Sequence, residues 1–210
     1  KGTSRFGAEL DSLADFVNFG VVPGLLMYIW VLKEATSFGW LAVLAYVIAA
    51  VLRLARFNVM LEAPKPAWQA NYFTGMPAPA GALSALLPLY LAQIFEFQPG
   101  RPIAGIVAIY MLAVAFMMIS TIPTFSGKKV GARVPRDKVI PISIAVVLLI
   151  AALVSFPFPI LAITTLIYLA CIPVGWRLWH RQNRAWQAAE AEIARTTDAA
   201  GATADPPPRS

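Results

Sequence analysis

Five long stretches of this chain contain no Asp, Glu, Lys or Arg: Phe16–Leu32, Ala35–Leu52, Ala67–Phe95, Pro102–Gly127 and Val139–Trp176. Uninterrupted apolar runs of this length do not suit the one-faced helices and strands of a water-soluble domain. A helix needs about 20 apolar residues to cross roughly 30 Å of hydrocarbon at about 1.5 Å per residue. The first two stretches match one crossing each. The third opens with Trp68, Gln69, Asn71, Gly75, Pro77 and Pro79, which is loop chemistry, so its helix is expected to start near Ala80. The fourth is one crossing ending near Ile122–Pro123. The fifth has 38 residues and would reach about 57 Å as one helix. Ser155-Phe156-Pro157-Phe158-Pro159 interrupts it, and proline both removes a backbone donor and clashes with the preceding turn. Two helices joined by a tight turn are expected there. Charged residues make up 13% of the chain and mean hydropathy is +0.67, against about 25% charged in soluble domains. An ordinary soluble enzyme, a disordered chain and a disulfide scaffold are excluded. The expected fold class is all-α, a polytopic membrane helical bundle with six transmembrane helices in this chain.

Charge tests that count. The formal net charge is +6, which admits either nucleic acid or the basic bias of cytoplasmic loops as its cause. Alternating loops place the N-terminus, Arg53–Pro79, Thr124–Lys138 and the C-terminal tail on one side, and that side collects 15 of the 17 basic residues. Only Lys33 and Arg101 fall on the other. With the fifth stretch read as one helix, the split drops to 10 against 7. Six spans with both ends cytoplasmic is therefore the expectation, in a cell inner membrane and without nucleic acid as a partner.

Residues 1–176 read as the transmembrane domain. Residues 177–195 read as an interfacial segment, since Trp176, Trp179 and Trp186 alternate with Arg177, Arg181 and Arg184. Thr196–Ser210, with Pro206-Pro207-Pro208, reads as a disordered tail. His180, the single histidine, is expected at the surface among these basic residues. The single cysteine, Cys171, is expected to be a small buried hydrophobe.

Three carboxylates, Glu9, Asp11 and Asp15, stand at the cytoplasmic entry of the first helix. Gly7, Asp11 and Asp15 are spaced i, i+4, i+8, so at about 100° per residue they share one helix face. Acidic residues favour a helix N-terminus by about 0.3–1 kcal/mol each, which accounts for Glu9 but not for Asp15, two turns further in. A hard divalent cation, Mg²⁺ or Mn²⁺, accounts for it better, with oxygen ligands from one face and Gly7 leaving room beside the backbone. Two carboxylates do not complete such a site. Glu34 and Glu96 are expected on the opposite side of the membrane, and Glu62, Asp137, Glu190, Glu192, Asp198 and Asp205 in loops or tail. The remaining ligands are expected upstream of Lys1.

Gly7-x3-Asp11-x3-Asp15 resembles the second half of the motif D-G-x2-A-R-x8-G-x3-D-x3-D of the CDP-alcohol phosphatidyltransferase family. Three further stretches, Leu52–Asn58, Phe73–Ala80 and Ser120–Lys129, resemble the bacterial membrane-integral phosphatidylserine synthase branch of that family, in this order and on the cytoplasmic side. The resemblance runs over residues 1 to about 175. It implies that the chain begins inside the motif and that the complete protein has eight spans.

The resemblance further implies transfer of a phosphatidyl group from CDP-diacylglycerol to L-serine, giving phosphatidylserine and CMP, in membrane lipids and with a homodimer as the expected assembly. Asp11 would be a metal ligand, and Asp15 both a ligand and the base that takes the proton of the attacking alcohol. Gly7, Arg53, Arg56 and Lys128 would bind substrate, the two arginines because a guanidinium holds a carboxylate or phosphate with two parallel bonds. Asn58 is placed to assist from the same turn. A bland reading stands beside each: Arg53 and Arg56 as anchors of a helix end, Lys128 with Lys129, Arg133, Arg136 and Lys138 as contacts to anionic headgroups. The rival functions are another member of the family with a phosphorylated acceptor, such as phosphatidylglycerophosphate synthase, a secondary transporter, and a non-catalytic scaffold. A transporter predicts ionisable groups near the bilayer midplane, whereas the acidic residues within the helices lie at one cytoplasmic entry and mid-span polar residues such as Gln93, Ser143, Thr164 and Thr165 are sparse.

Overall fold

The structure is a computed structural model that describes residues 5–61, 72–98, 100–120, 123–125 and 139–202. Eight α-helices and one short ribbon are present among them. Helix α1 (Arg5–Phe16) passes through a π-helical segment (Val17–Val21) into α2 (Val22–Trp30), and a 3₁₀ turn (Leu32–Ala35) leads to α3 (Thr36–Leu61). After β1 (Tyr72–Thr74) come α4 (Ala78–Ala85), α5 (Leu87–Ile94) and α6 (Arg101–Ile119). Strand β2 (Pro123–Phe125), α7 (Val139–Ser155) and α8 (Pro157–Ala202) complete the order.

Among the described residues, four helical stretches are long and apolar enough to cross a membrane: Phe6–Trp30, Leu32–Val59, Arg101–Ile119 and Pro157–Ala189. Two shorter ones, Ala78–Ile94 and Val139–Ser155, reach about 26 Å each, the lower limit for a crossing. The chain is thus a polytopic membrane helical bundle, with six apolar helical stretches at the places the charge-free runs indicate. The break at Phe156 and the restart at Pro157 fall where the proline cluster puts them. The third helix starts at Ala78, and the fourth ends at Ile119, three residues short of Ile122.

The core is built on α3 and α6. On α3 the buried positions Ala42, Tyr46, Ala49 and Arg53 recur at i, i+4, i+7, i+11, and on α6 Ala104, Ala108, Met111 and Ala115 repeat the same spacing. Lipid tails are as apolar as leucine, so helices in a bilayer associate through close packing of small residues rather than through hydrophobic burial. The alanines supply that approach. Gly20 does the same for the first helix, where an added Cβ would lie 3.0 Å from the Ala50 Cβ.

Pro23 and Pro88 sit inside apolar helical stretches, and each leaves a carbonyl without its usual donor. Pro23 has no N–H for the carbonyl of Phe19, four residues earlier, and Pro88 has none for Ser84. The Tyr46 hydroxyl donates to the Phe19 carbonyl at 2.7 Å, and the Tyr110 hydroxyl donates to the Ser84 carbonyl at 2.7 Å. With no water in the hydrocarbon, a neighbouring helix has to satisfy what the proline frees. The first of these devices borders the π-helical segment and the second the break at Leu86 between α4 and α5.

Three expectations change. Cys171 is exposed on α8 rather than buried, because a small apolar side chain facing lipid loses nothing by leaving the core. His180 is half-buried, with the Trp176 and Trp179 rings packed edge-on at 4.7 and 5.0 Å between centroids. The basic segment 177–195 is helical, and α8 runs unbroken through it to Ala202, seven residues into the stretch read as disordered. A helix already nucleated by the span needs only propagation, and the Ala-, Glu- and Gln-rich sequence propagates well. Residues 203–210 lie outside the described residues.

Candidate active site

The carboxylates enter on α1. Asp11 is exposed and Asp15 half-buried, one turn apart on the same face with Gly7, which is itself exposed. Side chains four residues apart on a helix have Cβ atoms about 5–6 Å from each other, close enough to share a cation. Immediately beyond Asp15 the helix widens into the π-helical segment Val17–Val21, a distortion that gathers at functional sites.

Helix α3 delivers the arginines to the same end. Arg53 closes the buried stripe of α3 and is only 9% exposed. Its guanidinium carbon lies 5.3 Å from the centre of the Phe57 ring, a cation–π contact. It stands within electrostatic reach of Asp15 on α1 and of Tyr168 on α8. A buried charge requires compensation; the Phe57 ring face supplies part of it at contact, and the Asp15 carboxylate and Tyr168 phenol act on it electrostatically.

Arg56, the next position on that stripe, has a different task. Its Nη1 donates to the carbonyl of Ile119 at 2.6 Å, which caps the last turn of α6 with a cation at the negative end of the helix dipole. Asn58 donates through Nδ2 to the Ser12 hydroxyl oxygen at 3.0 Å, tying α3 to α1 one residue past Asp11.

The loops after α3 and α6 join at the same end. Strands β1 and β2 pair antiparallel, with Tyr72 opposite Phe125, Phe73 opposite Thr124 and Thr74 opposite Pro123. The Met76 N–H donates to the Met117 carbonyl at 3.3 Å. Gly75 has φ +77°, and a Cβ there would stand 2.6 Å from the Ser120 carbonyl oxygen. Only glycine fits both the left-handed backbone and that approach.

Four stretches far apart in sequence, 7–15, 52–58, 73–80 and the start of 120–129, thus converge on one end of the bundle. A family model described as CDP-alcohol phosphatidyltransferase matches residues 1–124. The chain belongs to the CDP-alcohol phosphatidyltransferase family. A second model, CDP-alcohol phosphatidyltransferase 2, matches residues 138–173. Among curated relatives, a protein of Mycobacterium leprae named CDP-diacylglycerol–serine O-phosphatidyltransferase is 37% identical over 191 residues, 90% of this chain and 60% of the relative. The Mycobacterium tuberculosis protein of the same name is 35% identical over 193 residues, 90% of this chain and 64% of the relative. An archaetidylserine synthase of Methanothermobacter thermautotrophicus is 33% identical over 120 residues, 56% of this chain and 44% of the relative. The chain spans about three fifths of the length of the two mycobacterial relatives.

In this phosphatidyltransferase-family chain Asp11 and Asp15 on α1 and Arg53 on α3 lie toward the same end of the bundle, where Arg56 ties α3 to α6 and Asn58 ties α3 to α1. Lys128 lies outside the described residues. Among the described residues no group of three or more His, Cys, Asp or Glu side chains gathers, so Asp11 and Asp15 stand as a pair of oxygen donors. Their chemistry fits part of the shell of a hard divalent ion. Ser12 and Tyr168 are additions to the site that sequence reasoning missed. Ser12 was flanked by the carboxylates and gave a local hint; Tyr168 gave none.

Proposed function

We propose that this chain carries the transfer of a phosphatidyl group from CDP-diacylglycerol to L-serine, releasing CMP. The observation that carries the reading is the 3.0 Å bond from Asn58 to Ser12, which brings the end of α3 that bears the buried Arg53 beside the turn of α1 that bears Asp11 and Asp15. It is supported by the family membership and by the names of the mycobacterial relatives.

Asp11 and Asp15 would hold the divalent ion, Mg²⁺ or Mn²⁺, whose charge neutralises the diphosphate and the phosphoryl oxygens of the transition state. Arg53 takes the serine carboxylate with two parallel bonds, its planar head kept in place by Phe57. Asp15 accepts the proton of the serine hydroxyl as that oxygen attacks phosphorus. The new P–O bond forms while the bond to CMP breaks, and CMP leaves with the electron pair. Arg56 acts as a positioning residue, since one of its nitrogens is committed to Ile119. The basic bias of the loops at this end supports a cytoplasmic site in an inner membrane.

Asp15→Asn in the complete protein tests the reading. Serine-dependent CMP release is expected to vanish while the protein still elutes as a folded species. Near-normal turnover in that variant would refute the assignment of Asp15, and incorporation of glycerol 3-phosphate in place of serine would refute the acceptor.

A further inference from the structure

A cleft of about 340 Å³ lies at the other end of the bundle, between α5 and α6. Its wall carries no polar surface. Leu91, Ile103, Ile106 and Val107 line it, and the Trp30 and Phe95 rings frame it. Val107 is 4% exposed and forms the floor, whereas Ile106 and Phe95 are 68% and 71% exposed on the outside of the bundle. The lining on α6 runs from Ile103 to Tyr110, about 10 Å along the helix. It begins about 24 Å from the Ile119 end, where the carboxylates and Arg53 gather.

The turn beside the cleft is strained. Helix α5 ends with the Phe97 N–H donating to the Ala92 carbonyl at 3.3 Å, and the intervening Glu96 has φ +51°. Glycine ordinarily takes that left-handed position. The turn sets Phe95 and Phe97 against the cleft, and strain held by a non-glycine residue is characteristic of places that grip a ligand.

Charge adds a third observation. Lys33 follows Trp30 by three residues and Arg101 precedes Ile103 by two, and both are exposed. They are the two basic residues assigned to this end, each with an acidic neighbour nearby in sequence, Glu34 and Glu96. Arg101 opens α6 two residues before the first α6 residue of the lining, Ile103, so a cation stands at the helix end next to the cleft.

We propose that this cleft binds one acyl chain of a glycerophospholipid from the leaflet facing away from the candidate active site, with the lipid phosphate at Arg101. The absence of polar wall atoms excludes a polar small molecule. The cleft opens toward the outside of the bundle, where Ile106 and Phe95 are exposed, so an acyl chain of the surrounding bilayer can enter it from the side. This site is independent of the transfer reaction proposed above.

The test is photolabelling of the protein in bilayer nanodiscs with a phosphatidylcholine whose acyl chain carries a diazirine, mapped by mass spectrometry. Label is expected on Leu91–Phe95 and Ile103–Val107 severalfold above that on α7, whose residues face lipid along its length. Filling the cleft with Leu91→Trp, or with Ile106→Trp at its exposed rim, is expected to bring that label down to the α7 level. Arg101→Gln is expected to lower it. Equal labelling of cleft and α7 would mean passing lipid only and would overturn the proposal. Labelling below α7 would mean that protein covers the cleft, and would overturn it too. Unchanged labelling in Arg101→Gln would remove the phosphate contact from it.

Discussion

The hydroxyl of Tyr46 donates to the carbonyl of Phe19 at 2.7 Å, across the gap that Pro23 leaves in the first span. Tyr46 is fully buried, so Tyr46→Phe strands that carbonyl. An unsatisfied buried acceptor costs about 1–3 kcal/mol. Pro23→Ala restores an N–H four residues on, and the Tyr46→Phe penalty is expected to shrink in that background. A double-mutant cycle of thermal unfolding in detergent measures the coupling. Equal penalties in both backgrounds would show that the proline is not the cause.

Arg56 is expected to act on stability first. Removing its bond to Ile119 with Arg56→Met loses a charge-assisted cap, about 1.5–3 kcal/mol, and lowers the unfolding temperature. Arg56→Lys keeps the charge and a donor and should recover part of the loss. A drop in activity at unchanged unfolding temperature would instead make Arg56 a direct substrate ligand.

Arg53 should behave in the opposite way. Arg53→Lys keeps the charge but loses the planar fork. The expected result in the complete protein is a KM for serine raised about tenfold, equivalent to about 1.4 kcal/mol of binding. Serine titration of CMP release reads it. Tyr168→Phe, which removes a phenol within electrostatic reach of Arg53, should move the same KM by less. An unaltered KM in both variants would detach Arg53 from the acceptor.

Gly75→Ala places a methyl against the Ser120 carbonyl in a backbone region closed to alanine. A loss of more than about 1 kcal/mol is expected, read as a lowered unfolding temperature. Retained stability would mean that the loop has another arrangement open to it.

The Ser12–Asn58 bond joins two exposed or half-buried side chains, so its coupling to stability is expected to be small, about 0.5–1 kcal/mol. Its effect on activity should be larger, because it fixes the α1 turn that carries Asp11 and Asp15. Asn58→Ala is expected to lower kcat for CMP release with little change in unfolding temperature. The reverse pattern would reduce the bond to a structural tie.

Local pattern carried much of this architecture. The charge-free runs marked every apolar helix, the proline cluster marked the α7–α8 break, and the four-residue spacing put Gly7, Asp11 and Asp15 on one face. Pairings between distant segments left no such trace. Nothing near Pro23 names Tyr46 as the donor that repairs it, and nothing near Tyr168 announces Arg53. The paired loops were visible as two motifs, but not as partners. Composition misled at the tail, where polar residues read as disorder continue a helix begun in the membrane, and at Cys171, where apolar surroundings in sequence are lipid and not core.

The β1–β2 ribbon makes one mechanical part of the segments that follow α3 and α6. Whatever orders either strand lowers the entropy cost of ordering the other. A nucleotide held by one segment and an acceptor held by the other would therefore favour each other's binding by the same factor, with no change in helix packing. The affinity each gains from the other would then be a property of three backbone pairings.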